Sequence, residues 1–235
     1  MDNFITIKNL ILFSNKGKRN LIDIPNLQFD SKSISVIMGP NGAGKSLLLN
    51  LIQGLILPNE GTIKVNLFPK DENQKKVSIM MQKPCFLRRT TEQNIQFVLE
   101  LNNEKRNVSI LDILERFELI TQKKILANKL SGGEKQRLSL ALAISTNSKI
   151  LLLDEPTANA DPLTTIKIEK IIKEEAIAGK KIILVTHNIP QAKRLGQDIA
   201  FIHKGKVIEH CRKTDFLNRS KIKEINQFLK GDIII

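Results

Sequence analysis

Short apolar runs recur along this chain and alternate with segments that have helical spacing. The runs at 33–38, 77–81, 150–153, 182–185 and 199–203 are interpreted as strands, with a shorter one at 63–65. Runs of this kind with few polar interruptions are typical of strands buried on both faces of a parallel sheet. The segment 44–53, which follows the first run, is interpreted as a helix. This alternation predicts an α/β fold.

The middle of the chain follows a different pattern. Between 91 and 145, apolar residues recur three and four positions apart, first at Ile95, Val98 and Leu99 and again from Ile110 to Phe117. Such spacing places apolar side chains on one face of a helix. We therefore expect a helical insertion within the α/β core, and a further helix over 214–230.

Composition narrows the class of protein. Of the 235 residues, 41% are hydrophobic and 26% are charged, which is typical of a globular chain of one or two domains. No apolar run approaches the roughly 20 residues that a membrane-spanning helix needs. The N-terminus lacks a signal-peptide layout, and two cysteines, Cys85 and Cys211, do not suggest a disulfide framework or a zinc site. These features indicate a reducing cytosol.

The chain is strongly basic, with 37 Lys and Arg against 24 Asp and Glu and a formal charge of +13. One interpretation is a nucleic-acid or anionic-membrane partner. The other is a lysine-rich surface that is solvated on every face. The basic residues are scattered, and the chain has no Tyr or Trp to stack on bases. We therefore expect no specific nucleic-acid binding.

The most specific motif lies between the first buried strand and the helix that follows it. Its residues match the phosphate-binding loop in full: Gly39, Pro40, Asn41, Gly42, Ala43, Gly44, Lys45 and Ser46. Glycines allow the backbone to fold around an anion, with N–H groups and the helix N-terminus directed at the phosphates. The lysine of such a loop reaches the β- and γ-phosphates, and the serine ligates Mg²⁺. A chance glycine-rich turn fits poorly here, because the strand and the helix are both in place.

A pair of carboxylates follows another buried strand. Asp154 and Glu155 come directly after the run 150–153, and open α/β sheets bind ligands at the carboxyl ends of their strands. Asp154 is a candidate for holding Mg²⁺, directly or through water. Glu155 points elsewhere and is a candidate for polarising a water molecule. Capping of a following helix is the structural alternative, and both roles are compatible.

A third motif combines a helix start with glycines. Ser131 is predicted to cap a helix, with Glu134 at the capping-box position. That pattern alone is structural. Gly132 and Gly133, however, lower helix propensity in the first turn, which indicates close approach of another group to exposed N–H donors. An anion is the physical candidate for that group.

In chain order, the phosphate loop, the Ser131–Glu134 motif and the Asp154–Glu155 pair together resemble the ATP-binding cassette (ABC) ATPase family over about residues 5–203. The resemblance implies one domain over 1–235, with a P-loop NTPase core of mostly parallel sheet formed by 1–82 and 147–235. It also implies an antiparallel β subdomain near the N-terminus and an inserted α-helical subdomain over about 83–146. Further residues resemble family elements in order: Gln82 its glutamine loop, Asn159, Ala160 and Asp161 its aspartate loop, and His187 its switch histidine.

The resemblance implies roles for these residues in ATP hydrolysis, with ATP and Mg²⁺ as cofactors. Lys45 and the rest of the loop bind ATP; the metal is held by Ser46, Gln82 and Asp154. Glu155 acts as general base or orients the water, and His187 contacts the γ-phosphate and holds that base. ATP bound to a second cassette is capped by Ser131, Gly132, Gly133 and Glu134, and the two sites are connected by Asp161. Taken singly, Gln82, His187 and Asp161 also have structural interpretations, as a polar strand end, a turn cap and a helix start.

The sequence departs from the family pattern at the adenine contact. The family places an aromatic ring, most often Tyr, near the first strands; here Phe13 is the nearest ring, and Ser14 is the other residue at that place. Leu47 stands where the family commonly has a hydroxyl residue, although it remains a candidate for nucleotide contact. The catalytic set is complete despite these departures.

The chain has one phosphate loop and one copy of the Ser131–Glu134 motif (the signature segment), which implies a homodimer or a paired cassette. The resemblance further implies separate transmembrane permease subunits that meet the region Lys83–Phe97, a solute-binding protein, and a place at the cytoplasmic face of the inner membrane. The stretch 82–94 resembles ATPases of bacterial oxyanion importers, particularly the tungstate type. The alternatives are an exporter or lipid-handling ATPase, a soluble cassette that acts on nucleic acid or ribosomes, and an assembly protein without activity.

Overall fold

The structure is a computed structural model that describes residues 3–14, 17, 19–30, 34–66, 77–101, 108–158, 160–219 and 221–232. Ser33, predicted to begin a strand, and Asn159, of the predicted aspartate loop, lie outside these residues. The strands are β1 (Asn3–Phe13), β2 (Asn20–Asp30), β3 (Ile34–Met38), β4 (Glu60–Val65), β5 (Val77–Met80), β6 (Ile150–Asp154), β7 (Lys181–Val185), β8 (Asp198–His203) and β9 (Lys206–Arg212). The helices are α1 (Lys45–Gln53), α2 (Thr91–Leu101), α3 (Ile110–Arg116), α4 (Gly132–Ser145), α5 (Pro162–Ile177), α6 (Ile189–Leu195), α7 (Lys213–Arg219) and α8 (Lys223–Lys230), with a short 3-10 helix at Ala127–Lys129.

The apolar runs form the centre of a six-stranded sheet in the order β5-β6-β7-β3-β8-β9. The first five strands of that order are parallel, and β9 pairs antiparallel to β8. Every residue of β3, β6 and β7 is buried, because both faces of the sheet are covered. The predicted α/β fold with a mostly parallel sheet is confirmed.

Alternate residues of the central strands face two separate apolar layers. Val36, Leu151 and Leu184 pack on one face with the apolar sides of helices from α2 to α8. Ile37 and Leu152 pack on the other face with α1 and the N-terminal strands. The period of two along each strand therefore supplies both cores from one run of residues.

The N-terminal strands form a second sheet, in the antiparallel order β2-β1-β4. The alternation along β1 is interrupted at Asn9, which has φ 48°, and the pairing of β1 with β4 shifts register between Lys8 and Ile11. This irregularity explains why the sequence pattern did not delimit β1. The antiparallel subdomain implied by the family resemblance is confirmed.

The segment between β5 and β6 is helical, as predicted, and contains α2, α3 and α4. The prediction of one helix over 214–230 is wrong, because α7 ends at Arg219 and α8 begins at Lys223. Phe216 of α7 and Phe228 of α8 both pack against the ring of Phe201. These two residues are 12 positions apart, roughly 18 Å along one straight helix, so both can contact one ring only if the chain turns between them. Within the described residues, no helix combines the length and the apolarity that crossing a membrane requires.

Candidate active site

The loop from Gly39 to Ser46 joins β3 to α1 and has the backbone of an anion-binding loop. Gly39, Gly42 and Gly44 have φ values of 148°, 76° and 102°, which favour glycine. A Cβ atom at Gly39 would overlap the carbonyl oxygen of Ile202 at the end of β8. The glycines therefore serve both the path of the loop and its close packing on the sheet.

Lys45 is the first residue of α1, and its ammonium group lies at the start of the loop. Its Nζ atom donates to the carbonyl oxygens of Gly39 at 2.8 Å and Pro40 at 2.9 Å. Burial lowers the pKa of Lys45, while the nearby charges of Glu155 and Asp154 oppose that shift. A buried cation thus lies at the loop with two carboxylates in its field.

Ser46 and Asp154 bring two oxygen groups together beside this loop. Asp154 ends β6, and its carboxylate accepts a hydrogen bond from the Ser46 side chain. Burial raises the pKa of Asp154, and the hydrogen bond from Ser46 and the charge of Lys45 only partly offset that effect. A hydroxyl group and a carboxylate whose charge is only partly balanced are oxygen donors of the kind that Mg²⁺ prefers. The residues present therefore fit a magnesium ion.

Glu155 and His187 are in direct contact. The Oε1 atom of Glu155 accepts from the backbone N–H of His187 at 3.0 Å and lies 2.7 Å from its Nδ1 atom. The backbone N–H of Glu155 donates to the carbonyl of Val185 in the neighbouring strand β7. Glu155 has φ 50°, an unusual value for a residue other than glycine, so it turns away from the direction of Asp154. Its carboxylate is buried, whereas 65% of the His187 side chain is exposed.

The predicted capping box at α4 is confirmed. The Ser131 hydroxyl accepts from the backbone N–H of Glu134, and the Glu134 carboxylate accepts from the N–H of Ser131 at 2.7 Å. This second bond is the main reason that the pKa of Glu134 is lowered. Ser131 and Gly132 are exposed, so the start of α4 presents its backbone donors to the outside.

Asp161 caps α5 and belongs to the same surface region. Its carboxylate accepts from the backbone N–H groups of Leu163 and Thr164, and from the Thr164 hydroxyl. Thr164 also lies against Gly133 and accepts from Arg137 of α4. Thr164 therefore joins the signature segment to Asp161. Sequence reasoning missed this role, although a threonine three residues after a capping aspartate could have indicated it.

The family comparison decides the class of the protein. The model of the family described as ABC transporter matches residues 22–158. The chain belongs to this family. As an ABC transporter ATPase subunit, the protein binds ATP and is an ATPase.

Two relatives cover nearly the whole chain. The tungstate uptake system ATP-binding protein TupC of Peptoclostridium acidaminophilum is 36% identical over 211 residues, which cover 87% of this chain and 97% of the relative. The phosphate import ATP-binding protein PstB of Campylobacter jejuni subsp. jejuni serotype O:2 is 34% identical over 242 residues, which cover 95% and 96%. Both relatives therefore match this chain over nearly their whole length.

Solved structures agree with this assignment. A dimeric post-hydrolysis state of the ATP-binding cassette MJ0796, bound to ADP and Pi, superimposes with a TM-score of 0.79 at 27% identity, covering 88% of this chain and 98% of that one. The ABC ATPase fold is confirmed by this likeness.

Besides Lys45, Ser46, Asp154, Glu155 and His187, the ABC site residues predicted from the sequence include Gln82, Phe13 and Leu47. Gln82 is exposed, beyond the end of β5 at the edge where β6 delivers Asp154. Phe13 ends β1 opposite Asn20, one residue before Leu21 of β2. Leu47 packs against the apolar layer on the α1 side of the sheet, so its side chain serves the core.

Proposed function

We propose that this chain is the ATPase subunit of an importer for a small oxyanion, and that it works as a dimer of cassettes under separate membrane subunits. The main support for active ATP hydrolysis is the contact between Glu155 and His187 beside the phosphate loop. The names of the relatives support import, since they include tungstate uptake and phosphate import. An assembly protein without activity does not need this buried carboxylate.

On the phosphate side of the site, each group of residues has a separate role. Lys45 neutralises phosphate charge, and the loop N–H groups bind phosphate oxygens. Ser46, Asp154 and Gln82 would hold Mg²⁺, which would neutralise phosphate charge. Phe13 is the proposed adenine contact, since its strand end lies beside the β2 residue that approaches the loop.

The water side of the site belongs to Glu155. Its carboxylate is fixed by two bonds from His187, so that the other oxygen can orient or deprotonate the attacking water. His187 is exposed enough to contact the γ-phosphate as well. The pair therefore couples the position of the base to the presence of the phosphate.

The second half of each site comes from the other cassette. Ser131, Gly132 and Gly133 present the exposed start of α4 to the γ-phosphate of ATP on the partner, while Glu134 holds the cap. Asp161 connects the two sites, and Thr164 ties it to Gly133. Structural support comes from the dimeric form of the MJ0796 cassette.

The dimer is tested with Ser131→Arg in a Glu155→Gln background, which prevents loss of ATP during the measurement. An arginine at this exposed cap blocks close approach of the partner, so we expect a monomer with ATP by size-exclusion chromatography and ATP affinity equal to that of Glu155→Gln alone. Gln96→Arg, on the exposed surface of α2, adds the same charge elsewhere and should still dimerise. An ATP-dependent dimer of the Ser131 variant would refute the proposed interface.

The proposed permease contact is the loop Lys83–Thr90 with the start of α2, within an inserted helical subdomain over about 83–146. The Asn94 side chain fixes the shape of this loop by donating to the carbonyls of Leu87, Arg89 and Thr90. Leu87 is 41% exposed, whereas Phe86 packs against the core and is the lesser contact. A rigid loop with an exposed leucine suits docking against a membrane subunit at the cytoplasmic face.

Cys85 gives direct access to this contact, because its thiol is exposed in the middle of the loop. A thiol-to-amine crosslinker attached there, in a Cys211→Ser background, should capture a polytopic membrane protein from native membranes. The same chain with Cys85→Ser should capture none. Recovery with ribosomes or DNA alone would instead support a soluble cassette.

The cargo is tested in cells that carry either the wild-type chain or Glu155→Gln. We expect tungstate accumulation, measured by elemental mass spectrometry, to fall in the variant while methionine uptake is unchanged. Loss of phosphate uptake would assign phosphate as the cargo. Loss of methionine uptake, or accumulation of a cellular solute, would contradict the oxyanion proposal.

A further inference from the structure

The turn that joins β8 to β9 lies directly beneath the phosphate loop. The backbone N–H of Gly205, in this turn, donates to the carbonyl oxygen of Ala43 at 2.9 Å. At the other end of the loop, Gly39 packs on the carbonyl of Ile202, the residue before the last of β8. The hairpin thus contacts the loop at both ends, although the partners are 162 and 163 positions apart in sequence.

The bond to Ala43 has an electrostatic consequence. A loop binds anions with N–H groups only if its carbonyl groups face away from the ligand. Ala43 is buried, and Gly205 supplies the donor that holds its carbonyl outside the loop. Without that donor, the carbonyl would be a buried acceptor with no partner or would turn toward the phosphates.

The same turn is locked to the N-terminal sheet. Gly205 has φ 79°, and a Cβ atom there would overlap the carbonyl oxygen of Leu21 in β2. The carbonyl of Gly205 accepts from the backbone N–H of Asp23 at 2.9 Å. Only glycine combines this conformation with this close approach, so β2, the turn and the loop form one continuous contact.

We propose that Gly205 is a positioning residue for nucleotide binding, which holds the Ala43 carbonyl away from the phosphates and is itself held by β2. The inference rests on the proposed binding of ATP at residues 39–46. It adds a residue that touches neither nucleotide nor metal, and it gives the N-terminal sheet a part in setting the shape of the phosphate loop.

The test compares Gly205→Ala with Gly231→Ala. Gly231 has nearly the same φ, 83°, but nothing lies within 4 Å of its Cβ position, so that variant reports the conformational cost alone. We expect Gly205→Ala to weaken MgADP binding by about tenfold in calorimetry at low temperature, and Gly231→Ala to bind as the wild type. A purely structural role would lower the melting temperature of Gly205→Ala but leave the affinity of the folded protein unchanged.

A second pair of variants covers the case in which Gly205→Ala does not fold. Asp23→Pro removes the N–H that donates to the carbonyl of Gly205. The proline should be tolerated, because β2 is an edge strand and already contains Pro25 two residues away on the same side. Asp23→Ala keeps the N–H and loses only the ion pair with Lys206. We expect a severalfold weaker MgADP affinity for the proline variant alone.

The outcomes separate the two levels of inference. If the wild-type chain does not bind MgADP, the proposed nucleotide binding at residues 39–46 fails first. If the wild type binds and both Gly205→Ala and Asp23→Pro bind equally well, the positioning role of Gly205 is refuted while the nucleotide-binding proposal remains.

Discussion

Two aspartates at opposite ends of the same sheet, the buried Asp154 and the partly buried Asp198, have opposite electrostatic settings. Asp154 ends β6 at the phosphate loop, and burial raises its pKa despite the hydrogen bond from Ser46. Asp198 begins β8 at the far end; burial opposes ionisation there too, but hydrogen bonds from His210 and Ser35 and the charge of Lys181 outweigh it and lower the pKa. Both accept from a serine, so the serine does not decide the difference.

The far end of the sheet is a closed network. Ser35 donates to Asp198 at 2.8 Å, Lys181 donates to Ser35 at 2.7 Å, and His210 lies 2.7 Å from the second oxygen of Asp198. The Lys181 ammonium group also lies 5.7 Å from the centre of the Phe29 ring of β2. Each charged group in this network has partners within the protein.

The comparison teaches how to distinguish a structural charge from a functional one. At the far end, the protein itself compensates buried charge, and the network joins β2 to the central sheet. At the phosphate loop, the protein alone compensates the charge of Asp154 incompletely, and in the proposed site a cation and phosphates would complete that compensation. Burial raises the pKa of the aspartate at both ends, so the groups that contact each aspartate decide the difference.

The largest expected effect tests the functional end. Glu155→Gln removes the group that acts on water but keeps an acceptor for His187, so ATP turnover should fall by about a hundredfold or more while ATP affinity is retained. Steady-state phosphate release and equilibrium binding measure the two quantities separately. Turnover near the wild-type rate would rule out Glu155 as the base and weaken the distinction between the two ends.

A pH experiment tests the structural end. Burial lowers the pKa of Lys181 from 10.5 to about 8, opposed by the charges of Asp198 and Asp30. Between pH 8 and 10.5 the unfolded chain therefore binds a proton that the folded chain has lost, so the free energy of unfolding should rise with pH across this window, by up to about 3 kcal/mol. Below pH 8 both states are protonated and no further change comes from this group.

Lys181→Met serves as the control for that measurement, because it removes the titrating group and keeps the apolar stem. The rise should be seen in the difference between wild type and variant, measured by urea unfolding at each pH. MgADP affinity should be unchanged. An equal slope in both proteins would show that the Lys181 ammonium group does not titrate as inferred.

The smallest expected effect comes from exchanging each serine for alanine. Ser35→Ala should lower the free energy of unfolding by about 1–2 kcal/mol, since it removes the hydrogen bond that Lys181 donates and the one that Asp198 accepts, and should not affect nucleotide binding. Ser46→Ala should leave stability nearly unchanged and weaken binding only when Mg²⁺ is present. If the two variants behaved alike in either assay, the proposed contrast between the two ends would fail.

The parts of the molecule set by local sequence were predictable. The phosphate loop, the capping box at Ser131 and Glu134, and the buried strands each depend on residues within about ten positions of one another. The boundary of β5 was one residue shorter than predicted, and the final helix was two helices, because packing against Phe201 decides that turn.

What the sequence could not reveal depends on residues far apart in the chain. Lys181 looked like one more solvated lysine, yet it is fully buried, and that interpretation of the basic residues is wrong at this position. The partners of Gly205 and Thr164 were likewise hidden, because β-sheet order and helix packing bring them together. Local sequence patterns do not reveal which strand packs against which distant turn.

The left-handed backbone at Glu155 has a consequence for protein engineering. A residue with a Cβ atom at φ 50° costs of the order of 1 kcal/mol, which glycine at the same position would not. Glycine would remove that cost and also the carboxylate that accepts from His187, so selection for thermal tolerance alone does not protect the group that the proposed hydrolysis needs. Directed evolution of this chain has to select for turnover in every round.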